Sequence, residues 1–182
     1  EFRRVLFRSS PIKGTQPLDE TDFGKKDKAE NVMIVDLMRN DLGQICKPGS
    51  ITVPDLLRDE VHPGLSHLVS DVSGILRDEI TWPEIFEVLL PAGSISGAPK
   101  SSAMKIIAEN EKVSRAEYCG VIGWVHGDQA LLSVAIRTFW RDGEYINFGT
   151  GAGITWGSDA AAEWEETQLK ARHLISIAGG DL

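Results

Sequence analysis

Residues 65–76 are rich in β-branched residues and their apolar and polar positions partly alternate, which predicts a β-strand with His67 near its start. Three further runs rich in apolar residues are separated by the hairpin signals Gly127-Asp128 and Asp142-Gly143. They predict three consecutive strands, over residues 118–126, 130–140 and 144–150. Neighbouring strands joined by such short turns are expected to be antiparallel.

Helical signals lie between and after these strands. Thr81 is a candidate N-cap for a helix with proline and glutamate in its first turn. A second helix is predicted over residues 100–111, and a third runs from an N-cap at Ser158 to Ile177. Consecutive antiparallel strands with interspersed helices are typical of the α+β class.

The apolar run over residues 32–35 fits a helix and a strand equally well, because four residues are too few for the period to decide. This segment is expected to begin near residues 22–26 and to end with Gly43 as the C′ residue. A short strand over residues 50–53 should follow the Pro48-Gly49 turn. Polar or small residues with proline and glycine predict connections over residues 14–26, 54–63 and 91–100.

Composition narrows the class of protein. The chain has 182 residues, 42% of them hydrophobic, which is enough for a buried core. A net charge of −8 argues against nucleic acid as a partner. No apolar run approaches the roughly 18 residues that span a bilayer, so no membrane segment is expected. Cys46 and Cys119 lack CxxC spacing and are typical of buried thiols in a cytoplasmic protein.

Residues 1–9, EFRRVLFRS, are basic and aromatic and differ from the rest of the chain. We interpret them as a non-native start joined to an incomplete reading frame; a targeting peptide is the alternative. Residues 10–182 are then expected to form the C-terminal portion of a single, longer domain.

Candidate chemistry begins with Lys13, in the segment Pro11-Ile12-Lys13-Gly14-Thr15. Proline and glycine around it exclude an ordinary helix, so Lys13 is either a positioned reactive amine or a solvated loop lysine. His67 is either a general acid or a structural histidine.

Carboxylates recur three residues apart in two predicted helices. Asp27 and Glu30 form one pair, and Glu163 and Glu166 form the other, with Lys170 on the same face. Two such helices could hold Mg²⁺, which takes one or two protein carboxylates and completes its shell with water and substrate oxygens. Solvated helix faces are the alternative.

Two features could bind an anion. The glycine loop over residues 149–153 offers backbone N–H groups, although it matches neither a P-loop nor a Rossmann fingerprint. Arg137, expected in the strand before it, suits a carboxylate or else faces solvent at a sheet edge.

Eight segments, taken in order, resemble the motifs of the chorismate-utilising enzymes. They cover residues 11 to about 177 and read PIKGT, AENVMIVDLMRNDLG, SHLVS, PAGSISGAPK, CGVIGW, IRT, GTGAGI and AEWEETQLKA. The resemblance implies an α+β, antiparallel-sheet chorismate-binding fold with flanking helices, of which the N-terminal half is missing. It also implies Mg²⁺ as cofactor, chorismate as substrate and a glutamine amidotransferase as partner.

The resemblance assigns roles to the candidate residues. Mg²⁺ would be held by Glu30 and Glu166, with Asp27 and Glu163 behind them. The substrate's carboxylates would be bound by Arg137, Lys170 and the backbone of Gly151, Ala152 and Gly153. His67 and Ser94 would act beside Lys13 near the reacting ring.

Position 13 discriminates within the family: aminodeoxychorismate synthases of the lysine type read PIKGT, whereas anthranilate synthases usually carry alanine there. The chain is therefore expected to be similar to component I of the former enzymes, with anthranilate synthase component I or a docking fragment as alternatives. Lys13 would attack C2 of the ring and expel the C4 hydroxyl, and ammonia would then add at C4 and release the lysine from C2. The family's upstream glutamate is not in this chain, so the chain alone is expected to be inactive.

Overall fold

The chain divides into two units, Glu1–Ala103 and Met104–Leu182. The structure is a computed structural model that describes residues 6–19, 22–63 and 65–181. Residues 1–5 of the predicted non-native start lie outside the described residues. In the described part of the chain, no helix combines the length and the apolarity needed to cross a membrane.

A four-stranded antiparallel sheet forms the centre of the first unit. Its strands are β1 (Leu6–Ser9), β2 (Ile12–Gln16), β3 (Thr52–His62) and β4 (Leu65–Ile75). β4 pairs with all three others: β1 and β2 follow one another along one edge, and β3 pairs along the other. The strand predicted over residues 65–76 is therefore confirmed, and its residues 68–74 are buried.

Helix α1 (Lys25–Ile45) packs against β4. Residues 32–35 are helical, which resolves the ambiguity of that run. Gly43 lies inside the helix, so its prediction as the C′ residue was wrong. The helix continues because Ile45 is fully buried in the core with Leu42 and Val72, and it ends at Cys46, whose N–H donates to the carbonyl of Leu42.

The predicted connector over residues 54–63 is wrong, since residues 54–62 belong to β3. Proline and charged residues favoured a connector, but β3 pairs with β4 along one edge, and such strands tolerate both. The register shifts twice along β3, and Leu57 takes a φ of 56° in the second irregularity. The turn at Pro48-Gly49 is confirmed.

Three helices follow: α2 (Trp82–Leu89), α3 (Gly93–Ser96) and α4 (Lys100–Asn110), which crosses the boundary between the units. The N-cap at Thr81 is confirmed: its N–H donates to Glu84 Oε2 at 2.8 Å. The small-residue stretch over residues 91–100, predicted as a loop, contains the helical turn α3.

The second unit holds two antiparallel hairpins and a helix. β5 (Val121–His126) pairs with β6 (Gln129–Val134), and β7 (Phe139–Asp142) pairs with β8 (Tyr145–Phe148). The two hairpin turns are confirmed, but residues 130–140 do not form one strand. The Ile136 N–H donates to the Val134 carbonyl at 2.8 Å, and Arg137 takes a φ of 53°, so the chain turns between β6 and β7.

Helix α5 (Ala160–Ile177) has Asp159 as its N-cap, and the predicted N-cap Ser158 was wrong. The Asp159 carboxylate accepts from the N–H of Ala162 at 3.0 Å. Ser158 instead donates its hydroxyl to Glu163 Oε1 at 2.6 Å. Both residue types cap helices, so the sequence offered two adjacent candidates.

Candidate functional site

Lys13 lies on strand β2, which also includes residues 14–16 of the loop predicted over residues 14–26. Gly14 takes a φ of +96°, and the pairing of β2 with β4 shifts register between Ile12 and Thr15. A glycine in this conformation indicates a loop in the sequence, but here it makes an irregularity within a strand.

The Lys13 ammonium forms an ion pair with Glu30 of α1. Its Nζ lies 2.9 Å from Glu30 Oε2, and the Nζ of Lys26 lies 3.8 Å from Oε1. The Glu30 side chain is 17% exposed and that of Lys13 is 37% exposed. The structure thus brings two predicted site residues, one expected as nucleophile and one as metal ligand, into direct contact.

Gly14 explains why β2 can approach α1 so closely. A Cβ placed on Gly14 would lie 3.1 Å from the Cβ of Asp27 and 3.2 Å from Cδ1 of Phe23. The missing side chain lets the strand lie against the first turn of α1. Asp27, predicted to stand behind the metal ligands, is one turn before Glu30 on this helix.

His67 is placed by the pairing of β4 with β2. Thr15 is its partner in the ladder, and the Thr15 hydroxyl lies 2.9 Å from His67 Nδ1. The ring of His62, on β3, makes an edge contact with the His67 ring at a centroid distance of 5.3 Å. This arrangement fixes the orientation of the His67 imidazole beside β2.

Asn31, which sequence reasoning missed, anchors α1 to the sheet next to Glu30. It is fully buried, and its Nδ2 donates to the carbonyl of Leu68 at 3.0 Å. The Ser70 hydroxyl donates to Asn31 Oδ1 at 2.5 Å and accepts from the Leu57 N–H at 2.9 Å. Asn31 and Ser70 are each ordinary in the sequence, and each needs the other only because both are buried where α1 packs on β4.

Asp71 is a second buried polar residue of β4. Its carboxylate accepts from the Ser10 hydroxyl at 2.6 Å and is paired with Arg8 and with Arg58 at 3.7 Å. Burial acts to raise the pKa of Asp71, but hydrogen bonds from Ser10 and Arg8 and the two arginine charges outweigh it and lower the pKa. The ionised Asp71 carboxylate therefore stabilises the sheet through these contacts.

Ser94 is exposed on α3, and the turn that carries it is fixed to α1. A Cβ on Gly93 would lie 3.6 Å from the Cβ of Leu37. The Lys100 ammonium donates to Asp41 Oδ2 at 3.1 Å and to the Val88 carbonyl at 2.7 Å. This lysine ties the end of the small-residue stretch to both α1 and α2.

In the second unit, the predicted acids of α5 already have polar partners. Lys170 Nζ lies 2.5 Å from Glu166 Oε1, and Glu163 accepts the hydroxyl of Ser158. The shared helix face predicted for Glu166 and Lys170 is confirmed by this contact. Lys170 is thus held by a carboxylate on its own helix.

Arg137 and the glycine loop are the remaining predicted substrate-binding groups. Arg137 is exposed in the turn between β6 and β7, not within a strand. The loop backbone lies against Tyr118: a Cβ on Gly149 would be 2.3 Å from its Cγ, and one on Gly151 would be 3.1 Å from its hydroxyl. Burial is the main cause that raises the pKa of Tyr118 to about 12, so its hydroxyl remains protonated near neutral pH.

Within the described ranges, no group of three or more His, Cys, Asp or Glu side chains is arranged to hold a metal ion. Mg²⁺ does not require such a group, since it takes one or two protein carboxylates together with water and substrate oxygens. Glu30 fits this role, because it is a mostly buried carboxylate that already attracts a cation and has Asp27 one turn away on α1. Glu166, a carboxylate of the second unit, is paired with Lys170.

A family model described as chorismate binding enzyme matches residues 2–176. The chain belongs to this family. It is 38% identical to anthranilate synthase component 1 of Saccharolobus solfataricus, with 96% of this chain and 44% of that protein aligned. It is also 38% identical to aminodeoxychorismate synthase component 1 of Klebsiella aerogenes, covering 96% of this chain and 42% of the relative.

Solved structures share the fold. Anthranilate synthase component I from Streptococcus pneumoniae matches with a TM-score of 0.78 and 34% identity, over 94% of this chain and 40% of that one. MenF, the menaquinone-specific isochorismate synthase from Escherichia coli, matches with a TM-score of 0.80 at 24% identity, over 96% of this chain and 42% of the other. These matches confirm the α+β chorismate-binding fold. The chain spans less than half the length of these relatives.

Proposed function

We propose that the chain is part of component I of an enzyme that aminates chorismate, with ammonia supplied by a glutamine amidotransferase subunit. Membership of the chorismate-binding family supports the substrate, and the relatives named component 1 support the partner. The observation that carries the proposal is the Lys13–Glu30 pair at 2.9 Å, held between β2 and α1. It brings together an amine and a carboxylate that we propose as a metal ligand.

The comparisons favour anthranilate as the product. Anthranilate synthase component 1 predominates among the similar relatives, and one from Neisseria meningitidis serogroup B is 43% identical over 84% of this chain and 31% of its own length. For anthranilate, Lys13 would act by binding or orienting the substrate rather than by covalent attack.

Lys13 itself favours aminodeoxychorismate as the second candidate product. Its Nζ would attack C2 of the ring, the two ring double bonds would shift, and the C4–O bond would break, with the hydroxyl taking up a proton and leaving as water. Ammonia would then add at C4 and release the lysine. An amine attacks only when neutral, so Lys13 would need to be free of its proton at that step. His67, fixed by Thr15, and Ser94 on α3 would orient the ring.

The remaining groups have binding roles in either case. Mg²⁺, when bound, would neutralise the ring carboxylate of the substrate, and Glu30 and Glu166 would hold it, with Asp27 and Glu163 behind them. Arg137, Lys170 and the backbone over residues 151–153 would neutralise the substrate's carboxylates by charge-assisted hydrogen bonds.

A product assay of the complete natural protein, supplied with ammonium and Mg²⁺, tests the proposal. Anthranilate is detected by its fluorescence, and aminodeoxychorismate is detected as 4-aminobenzoate after a lyase is added. If aminodeoxychorismate is formed, Lys13→Ala should lower its rate by roughly 100-fold or more, because the covalent step is lost. Lys26→Ala, which removes a neighbouring exposed charge, is the matched control.

The outcomes separate the candidates. Anthranilate formation that survives Lys13→Ala supports the first candidate and excludes a nucleophilic role for Lys13. Unchanged aminodeoxychorismate turnover in Lys13→Ala removes Lys13 from that mechanism. If neither product forms with ammonium present, the amination proposal is wrong.

A further inference from the structure

The carboxylate of Glu30 faces two ammonium groups in this structure. Lys13 Nζ approaches one oxygen at 2.9 Å, and Lys26 Nζ approaches the other at 3.8 Å. The two lysines lie on different elements: Lys13 is on β2, whereas Lys26 is on α1, one turn before Glu30. They differ also in exposure, since the Lys26 side chain is 80% exposed and that of Lys13 only 37%.

We propose that Lys13 competes with a divalent cation for Glu30, so that the cation and the Lys13 ammonium occupy this carboxylate alternately. The inference rests on the proposed function, which assigns Glu30 to Mg²⁺. It goes further by proposing that the candidate nucleophile lowers the affinity of Glu30 for the metal ion.

Repulsion between Mg²⁺ and the Lys13 ammonium is the reason why we expect them to occupy Glu30 alternately. Mg²⁺ binds carboxylate oxygens at about 2.0–2.1 Å, while Lys13 Nζ already lies 2.9 Å from Glu30 Oε2. A divalent and a monovalent cation on one carboxylate would stand only about 4 Å apart, and their repulsion is twice that of two single charges. Glu30 is mostly buried, so water screens this repulsion less than it would at the surface.

Lys13 can leave Glu30 without moving the backbone. Pairing of Ile12 with Val69 and of Thr15 with His67 holds β2 in place on both sides of Lys13. Gly14 packs against the first turn of α1. The four-carbon side chain is therefore the part that swings, and its departure from Glu30 frees the amine for the substrate. Binding of the metal ion to Glu30 and release of Lys13 from Glu30 are therefore coupled.

Lys26 provides the contrast. The Lys26 side chain is 80% exposed and remains solvated, so its pairing with Glu30 at 3.8 Å contributes little. Lys26 can turn into water when a cation arrives, and its loss should change the metal affinity only slightly.

The test is a calorimetric titration of the chain with Mg²⁺. Lys13→Ala should bind Mg²⁺ at least about fivefold more tightly than the unmodified chain, because the competing charge is gone. Lys13→Arg keeps the charge and should bind with nearly the original affinity. Lys26→Ala should change the affinity by less than about twofold. Circular dichroism verifies folding, and Lys13→Gln replaces Lys13→Ala if the alanine variant does not fold.

The variant Glu30→Gln distinguishes failure of the metal assignment from failure of the proposed competition. If it binds Mg²⁺ like the unmodified chain, or if no variant binds at all, the metal assignment of the proposed function fails and the competition fails with it. If Glu30→Gln loses binding while Lys13→Ala and Lys13→Gln keep the original affinity, the competition is overturned and the metal assignment stands.

Discussion

At the scale of single residues, Gly14 sets the position of Lys13 by lacking a side chain. Its φ of +96° turns the backbone of β2, and its Cα faces the Cβ of Asp27 and the ring of Phe23. Any larger residue would hold the strand away from α1. The contact between Lys13 and Glu30 therefore depends on the residue next to the lysine.

Gly14→Ala should destabilise the chain by about 2–3 kcal/mol, measured by urea unfolding. Two costs add: a positive φ strains a residue with a Cβ by roughly 1 kcal/mol or more, and the new Cβ would press on Asp27 at 3.1 Å. Gly49→Ala is the matched control, because Gly49 has a φ of +75° and nothing within 4 Å of its Cβ position. Equal losses in the two variants would show that the contact with α1 contributes nothing.

The residue scale also shows what the sequence could not predict about the site. Lys13, Glu30 and Asp27 were identifiable as candidates from their motifs. Their contact was not, since it depends on the φ of Gly14 and on the approach of β2 to α1. Asn31 and Ser70 were missed because each is unremarkable alone, and only the packing of α1 on β4 shows that each satisfies the other.

At the scale of elements, helix α2 begins with a cap that was readable from the sequence. Thr81 donates its N–H to Glu84 Oε2 at 2.8 Å and its hydroxyl to the same oxygen at 2.6 Å. The hydrogen bond from Thr81 is the main cause that lowers the pKa of Glu84.

Thr81→Ala should lower the free energy of unfolding by about 1 kcal/mol, because the first turn of α2 loses its side-chain cap. Thr81→Ser retains a hydroxyl and should lose less than about 0.5 kcal/mol. Chemical denaturation of both variants checks the difference. A Thr81→Ala variant as stable as the original chain would show that this cap is dispensable.

Elements with a strong local signal were predictable, and those that depend on pairing were not. Strand β4 was predicted from its β-branched residues and partial alternation, and the hairpins of the second unit have Gly-Asp and Asp-Gly turns. The sequence of β3 resembles a connector because it contains proline and charged residues. A strand tolerates these residues at the edge of a sheet, and the sequence does not show which strands lie at an edge. The turn at Arg137 was missed because a φ of 53° at an arginine has no sequence signal.

At the scale of the whole molecule, ionised carboxylates with lowered pKa values occur in both units. They are Glu60, Asp71, Glu84 and Glu111. Hydrogen bonds from Arg58, Thr81 and Arg115 are the main cause at the three glutamates. A carboxylate whose folded pKa is lowered stabilises the folded state above its ordinary pKa. That stability is lost as the pH falls through the lowered value.

The chain should therefore keep its melting temperature near neutral pH and lose stability as the pH falls below the ordinary values of 4.5 for Glu and 3.8 for Asp. Thermal unfolding followed by circular dichroism between pH 7 and pH 3 checks this. Asp71→Asn should be less stable at pH 7 and should show a weaker dependence on acid, because one of the contributing charges is removed. A melting temperature that does not change down to pH 3 would contradict the prediction.

The central position of β4 has a consequence for how the site is assembled during synthesis. β3 and β4 are neighbours in the chain, so they can pair as soon as both have left the ribosome. Thr15 and His67, in contrast, are 52 residues apart, and closing so long a segment is slow. The strand that carries Lys13 is made before β4 and must wait for β4 to pair with it. Lys13 therefore reaches its place beside Glu30 only after β4 has been synthesised and has paired with β2.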